Sequence, residues 1–175
     1  MPPLNVRPFE EDDFPFILQS ISTGDELLQW AGPGFDWPLT EDQLRDYRGK
    51  AVGDPEKFRQ LTAVEGGIAV GHVELTLERK HDLAYIGRVL VAPSERGRGI
   101  GTALMHEVVR LAFDELDLHR ISLNVFDFNT PAIRCYERVG FIKEGHLRET
   151  RRASDGYWSL LVMGMLATDP RPPFA

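Results

Sequence analysis

Apolar residues recur along this chain with two different periods, and the change between them organises it. Phe14, Ile17, Leu18 and Ile21 share one helical face, which predicts a helix after a short strand over residues 4–9; Asp12 or Asp13 is placed to cap it. Thr40-Glu41-Asp42-Gln43 resembles a capping box and starts a second helix that buries Leu44 and Tyr47. Between them, residues 22–39 read as loop-rich, with Gly32, Pro33, Gly34 and Pro38 interrupting any period. From Phe58 the period becomes two. Residues 58–64 and 68–77 predict strands about a Gly66-Gly67 turn, with Val73, Leu75 and Leu77 alternating with His72, Glu74 and Thr76. Residues 84–91 predict a further strand, and a helix to about residue 116 follows it, apolar at Leu104, Met105, Val108, Val109, Ala112 and Phe113. A strand over 119–126 carries Ile121, Leu123 and Val125 on one face. Pro131 and Gly140 mark the ends of a short helix over 130–139. Residues 141–151 and 157–166 read as a final strand pair joined around Asp155-Gly156.

At 175 residues this pattern fits one α/β domain over 1–168, with the proline-rich residues 169–175 as a frayed tail. The formal net charge of −7 argues against non-specific nucleic-acid binding. It either favours cationic substrates or marks an ordinary acidic protein. The single cysteine, Cys135, excludes an internal disulfide and fits a reducing compartment. No signal peptide and no bilayer-length apolar run is seen, so a cytoplasmic protein without membrane partners is expected.

The most informative stretch joins the strand at Val89, Leu90 and Val91 to the helix behind it. Pro93 ends the ladder. Gly97, Gly99 and Gly101 then give the backbone freedom to approach a ligand closely, beside Arg96 and Arg98. A helix N-terminus adds unpaired amides and a positive dipole end, so the local chemistry is a phosphate cradle. Neither the dinucleotide spacing of glycines nor a Gly-Lys-Ser/Thr ending is present. What fits is Arg96-x-x-Gly99-x-Gly101, which resembles the acetyl-CoA loop of the GNAT superfamily of N-acetyltransferases. A second stretch, Asn129-x-x-Ala132-x-x-x-Tyr136-x-x-x-Gly140-Phe141, is similar to that superfamily's other signature, in the expected order. Leu118 to Ile121, Glu144-Gly145 and the closing Gly156-Tyr157 strand further resemble the branch containing ribosomal-protein alanine N-acetyltransferases; spermidine and some antibiotic acetyltransferases share parts of the pattern.

The resemblance implies a single GNAT-like α/β domain with a mixed central sheet, largely antiparallel early and parallel around the cofactor, flanked by helices. It implies acetyl-CoA as co-substrate, no metal, and direct attack of an amine in a ternary complex. Amides of Gly97 to Thr102, with Ile100 among them, are expected on the pyrophosphate, with Arg96 and Arg98 supplying charge. Backbone groups of Val89, Leu90 and Val91 would pair with the pantetheine, as an added strand pairs with a sheet edge. Asn129 would touch the pantetheine or nucleotide end, and Arg134 and Arg138 either approach the 3′-phosphate or lie in solvent. Tyr136 matches the superfamily's general acid, a phenol that stays protonated at neutral pH and can donate to a departing thiolate. Cys135 reads as a packing residue.

The acceptor side is less determined. Trp30, Phe35 and Trp37 wall the acceptor site or cap the core. Glu74 is the first candidate for the general base; His72 shares its face, and both otherwise face solvent. An amine of pKa about 10.4 costs about 4 kcal/mol to deprotonate near neutral pH, whereas an α-amine of pKa about 8 costs about 1 kcal/mol or less. The resemblance to the ribosomal-protein alanine N-acetyltransferase branch implies a protein or peptide N-terminal α-amine as acceptor. A small polyamine or antibiotic amine is the enzyme alternative, and an acetyl-CoA-binding sensor or interaction module the alternative without catalysis. A monomer and a homodimer are both compatible.

Overall fold

The computed structural model describes residues 4–173. Strand β1 (Asn5–Pro8) is followed by helices α1 (Phe14–Ser20), α2 (Gly24–Ala31) and α3 (Glu41–Gly53), then by β2 (Phe58–Glu65), β3 (Ile68–Glu78) and β4 (Leu83–Val91). After these come α4 (Ile100–Arg110) with a π-helical turn (Leu111–Glu115), β5 (Arg120–Phe126), α5 (Thr130–Val139), β6 (Ile142–Ala153) and β7 (Gly156–Leu166). These strands form one seven-stranded sheet in the order β1-β2-β3-β4-β5-β7-β6. Every neighbouring pair is antiparallel except β4 and β5, which run parallel. The result is the single α/β domain with a mixed, helix-flanked sheet that the sequence implied.

One face of the sheet packs on α4 and α5. Val73 and Leu75 of β3, Leu104, Met105 and Val108 of α4, and Ile133 and Val139 of α5 belong to one buried cluster. Each such side chain contributes roughly 1.5–3 kcal/mol of burial. The opposite face carries α1 to α3 through Phe14, Ile17, Leu27, Trp30, Leu44 and Tyr47. Both faces of the central strands are therefore covered, which corrects one expectation: His72 and Glu74 do not face solvent but are buried, with 0% and 4% exposure.

Three further expectations change. Residues 24–31 are helical, not loop. Thr23 caps that helix by accepting the Glu26 amide, and the Glu26 carboxylate takes the Ser22 amide at 2.6 Å. Asp13 does not cap α1; its carboxylate accepts both guanidinium nitrogens of Arg7 at 2.8 Å, the Glu10 amide and the Thr62 hydroxyl. Finally, the proline-rich tail is packed as far as it is described. Asp169 accepts the Leu166 amide, and Arg171 pairs with Asp114 at 2.6 Å and lies over the Phe113 ring. Phe174 and Ala175, the last residues of the expected tail, lie outside the described residues.

The feature that creates the site is a failure of pairing. β4 and β5 are partners only from Leu83–Arg120 to Ile86–Leu123. Beyond Ile86, β4 also bulges away from β3: Glu74 opposes Gly87 and His72 opposes Leu90, so Arg88 and Val89 together face Val73. The two central strands part there, and a cleft opens between them.

Candidate active site

The cleft has a volume of about 790 Å³. One wall is the diverging end of β4; the other is β5 with α5; the loop before α4 closes one end. Gly97 and Gly99 have φ of 79° and 84°, which an L side chain rarely tolerates, and Gly99 is the N-cap of α4. Gly101 sits inside the helix instead; a Cβ there would lie 3.5 Å from Val91 and 3.7 Å from Cys135, at ordinary contact. The first amides of α4 have no intrahelical acceptor and sit at the cleft end, which suits a phosphate.

Of the residues expected to hold the cofactor, Val89, Leu90, Val91, Arg96, Gly97, Gly99, Ile100, Gly101, Thr102, Asn129 and Tyr136 all line this cleft. Arg98 does not. It pairs with Glu95 and, at 3.0 Å, with Glu65 on β2, so its charge is spent on the loop's own anchorage. Arg138 reaches the cleft and Arg134 is not among its lining residues. The Asn129 side chain caps α5 by accepting the Ala132 amide, which fixes the start of the helix that presents Tyr136. The open backbone of β4, the left-handed glycines and the helix N-terminus together match an extended chain ending in a pyrophosphate, so the residues present fit coenzyme A.

Tyr136 is 7% exposed, edge-on to Phe141. Burial raises its pKa, and the neighbouring Cys135 and Tyr85 raise it further, so the phenol keeps its proton across the neutral range. Burial also pushes the Cys135 thiol up; the thiol lies 3.5 Å from the Thr102 hydroxyl and stays uncharged. Tyr85 lines the same wall, with its hydroxyl bonded to the Asn124 backbone; nothing in the sequence pattern singled it out.

The other end of the cleft lies between α2 and the β6–β7 hairpin. Trp30 lines the cleft, stacks on Phe35 with centroids 5.6 Å apart, and donates its indole N–H to the Arg88 carbonyl at 2.9 Å. Phe35 lines a smaller neighbouring cavity of about 230 Å³ that shares Arg88 with the main cleft. Trp37 is half exposed, packs against Gly24 and lines neither space. Glu74 does not line the cleft either: Gln60 donates to one of its oxygens at 2.9 Å and Arg88 to the other. With both oxygens engaged and the Arg88 guanidinium in the way, it is the counter-ion of a lining residue. Arg88 is the residue that sequence reasoning missed; an arginine inside an apolar strand was its only signal. Among the described residues no group of three or more His, Cys, Asp or Glu could hold a metal ion, and no helix is long and apolar enough to cross a membrane.

A model of the acetyltransferase (GNAT) family matches residues 24–141. Spermidine N(1)-acetyltransferase of Vibrio cholerae is 29% identical over 152 residues, covering 83% of each chain. The crystal structure of spermidine N-acetyltransferase from Vibrio cholerae in complex with CoA and spermine superposes with a TM-score of 0.82 at 26% identity, over 95% of this chain and 97% of that one. The probable N-acetyltransferase YjcK of Bacillus subtilis is 40% identical over 129 residues, covering 73% of this chain and 71% of that protein. These likenesses overturn the expected placement in the ribosomal-protein alanine branch. The pattern of Glu144-Gly145 and the closing hairpin is shared too widely to assign a branch, whereas the spermidine enzymes align over nearly the whole fold.

Proposed function

This chain belongs to the acetyltransferase (GNAT) family and is an acyl-CoA-dependent N-acetyltransferase, and we propose that its acceptor is a polyamine of the spermidine class. The observation that carries the chemistry is the parting of β4 and β5, which leaves strand backbone open beside Tyr136. The acceptor class rests on the whole-length likeness to spermidine enzymes, and the aromatic wall at Trp30 and the net charge of −7 are compatible with a cationic amine.

In this reading the β4 backbone at Val89 to Val91 binds the pantetheine arm, and the loop from Arg96 to Thr102 binds the pyrophosphate. Bound acetyl-CoA supplies an activated acetyl group. The neutral amine nitrogen of the acceptor forms a bond to the acetyl carbon as the carbon–sulfur bond breaks. Tyr136 gives its phenolic proton to the departing sulfur, the amine releases one proton to solvent, and the phenolate takes one back from solvent as the products leave. The Val89 N–H, which has no partner in either neighbouring strand, is the donor aimed at the carbonyl oxygen.

A second reading is an acceptor carrying a carboxylate beside its amine. It is favoured by Arg151, which lines the acceptor end with no carboxylate in ion-pair range among the described residues. The test is coenzyme A thiol release with spermidine, spermine, amino acids, N-terminal peptides and aminoglycosides. Selective turnover of spermidine or spermine is expected; selective turnover of amino acids would replace the first reading with the second.

A further inference from the structure

Arg88 is an unusual residue to find in the middle of a strand. Its φ is +53°, a left-handed conformation that a side chain disfavours, and it forms the bulge where β4 leaves both neighbours. Such a conformation persists only when its surroundings over-determine it, and here five contacts do so. The guanidinium pairs with the buried carboxylate of Glu74. That carboxylate is steadied by Gln60, whose amide also donates to the Tyr47 carbonyl at 2.9 Å. The guanidinium lies over the rings of Tyr47 at 5.0 Å and Phe35 at 5.5 Å. It is pressed so closely on the α2–α3 connection that a Cβ on Gly34 would fall 2.6 Å from its Nη2. The backbone is pinned as well, since the Arg88 carbonyl takes the Trp30 indole N–H.

These contacts join two parts of the molecule that the sequence keeps apart. Trp30, Gly34, Phe35 and Tyr47 belong to the helical wall of the acceptor end. Arg88 and Val89 belong to the strand along which the donor lies. The residue after Arg88 is the one whose amide has no ladder partner, so the Arg88 dihedral sets where that N–H points.

We propose that Arg88, clamped by Glu74, is a positioning residue: it fixes the β4 bulge, and with it the direction of the Val89 N–H, and ties that amide to the acceptor wall. The proposal rests on the acetyl-transfer reading above but not on the identity of the acceptor. It gives Glu74 a role through Arg88 in place of the base role expected from sequence.

Glu74→Gln keeps the shape and removes the charge; Arg88→Lys keeps the charge and removes the fork; Arg88→Gly removes the clamp but suits the left-handed backbone. Three quantities are read. The first is amide hydrogen exchange at Leu90 in the free protein, with Met163 on β7 as an internal reference. The second is the isotope-edited infrared carbonyl frequency of bound acetyl-CoA. The third is kcat beside KM for acetyl-CoA. In Glu74→Gln and Arg88→Gly, exchange at Leu90, which pairs with His72 at the edge of the bulge, is expected to rise about tenfold or more as the bulge loosens, with Met163 unchanged. The carbonyl frequency moves toward its value in water, and kcat falls by about 100-fold, as for a small misplacement at the reacting centre, with KM little changed. Arg88→Lys falls between. Arg88→Gly matching the parent protein in exchange and carbonyl frequency would overturn the proposal. If Glu74→Gln proves unfolded, Arg88→Lys carries the same test. If the parent protein turns over no amine of the panel, the acceptor reading fails, while exchange and infrared still decide the role of Arg88.

Discussion

Tyr47 on α3 and His72 on β3 share a hydrogen bond of 2.9 Å between the phenol oxygen and Nε2, in a pocket from which water is excluded. Phe9 and Trp30 pack against the imidazole, and its Nδ1 has no partner among the described residues. Burial pulls the His72 pKa down from 6.5 to about 3, and the Arg88 charge adds to this, so the ring is neutral in the folded protein.

That depression predicts an acid-labile fold. Above pH 6.5 the imidazole is neutral whether the chain is folded or not. As pH falls from about 6.5 toward 3, the unfolded chain takes up a proton that the folded one refuses, so stability drops through this window by the order of several kcal/mol. Urea midpoints measured from neutral pH to about pH 4 will show a steep fall, and His72→Gln will lower the curve but flatten it. An unchanged slope in that variant would assign the effect elsewhere. The Asp13 carboxyl, held below its ordinary value by Arg7, Glu10 and Thr62 despite its burial, loses its contribution only at more acid pH.

Tyr136→Phe removes the proposed proton donor and little else, because the ring keeps its contacts with Phe141. Thiol release is expected to slow by about 10²- to 10⁴-fold, the usual range for a lost general acid. Calorimetry is expected to find acetyl-CoA affinity nearly unchanged. Full activity would remove Tyr136 from the mechanism.

The two arginines of the glycine loop are predicted to behave differently. Arg96 lines the cleft, so Arg96→Ala weakens coenzyme A binding by about tenfold or more, the scale of a charged hydrogen bond. Arg98 is engaged with Glu95 and Glu65, and Arg98→Ala changes affinity by less than about twofold. Equal losses in the two variants would mean that Arg98 turns into the cleft when ligand binds.

Asp13→Ala strips a buried carboxylate from Arg7, Thr62 and the Glu10 amide at once. The expected cost is about 3 kcal/mol, at the lower end for a broken buried pair because Arg7 keeps access to water. Denaturant titration checks this, and coenzyme A affinity of the folded fraction is expected to hold.

Trp30→Phe leaves the Arg88 carbonyl without its donor and is expected to lower kcat/KM for the acceptor by about tenfold. Trp37→Ala, on the outer side of the same segment, is expected to leave it unchanged. The reverse order would place the acceptor wall at Trp37.

The glycine loop, the helix behind it and the Tyr136 helix were legible because local chemistry writes them. Gly97 and Gly99 are needed for left-handed backbone, Pro131 and Gly140 bound a helix from within, and period-two patterning gives strands without knowing their partners. Even the missed helix α2 carried a local signal, Thr23 three residues before Glu26, hidden by the Gly and Pro that follow. Tertiary structure decided what depends on neighbours distant in the chain. Alternation along β3 told that His72 and Glu74 share a face, but not that α1 to α3 would bury it. The two loop arginines are equivalent in sequence; only the approach of Glu65 on β2 turns Arg98 away. The same holds for Arg88, an arginine in an apolar strand until Glu74, Phe35 and Tyr47 close around it. Backbone preference and periodicity act over a few residues and survive in one dimension, whereas burial and charge pairing are properties of the assembled fold.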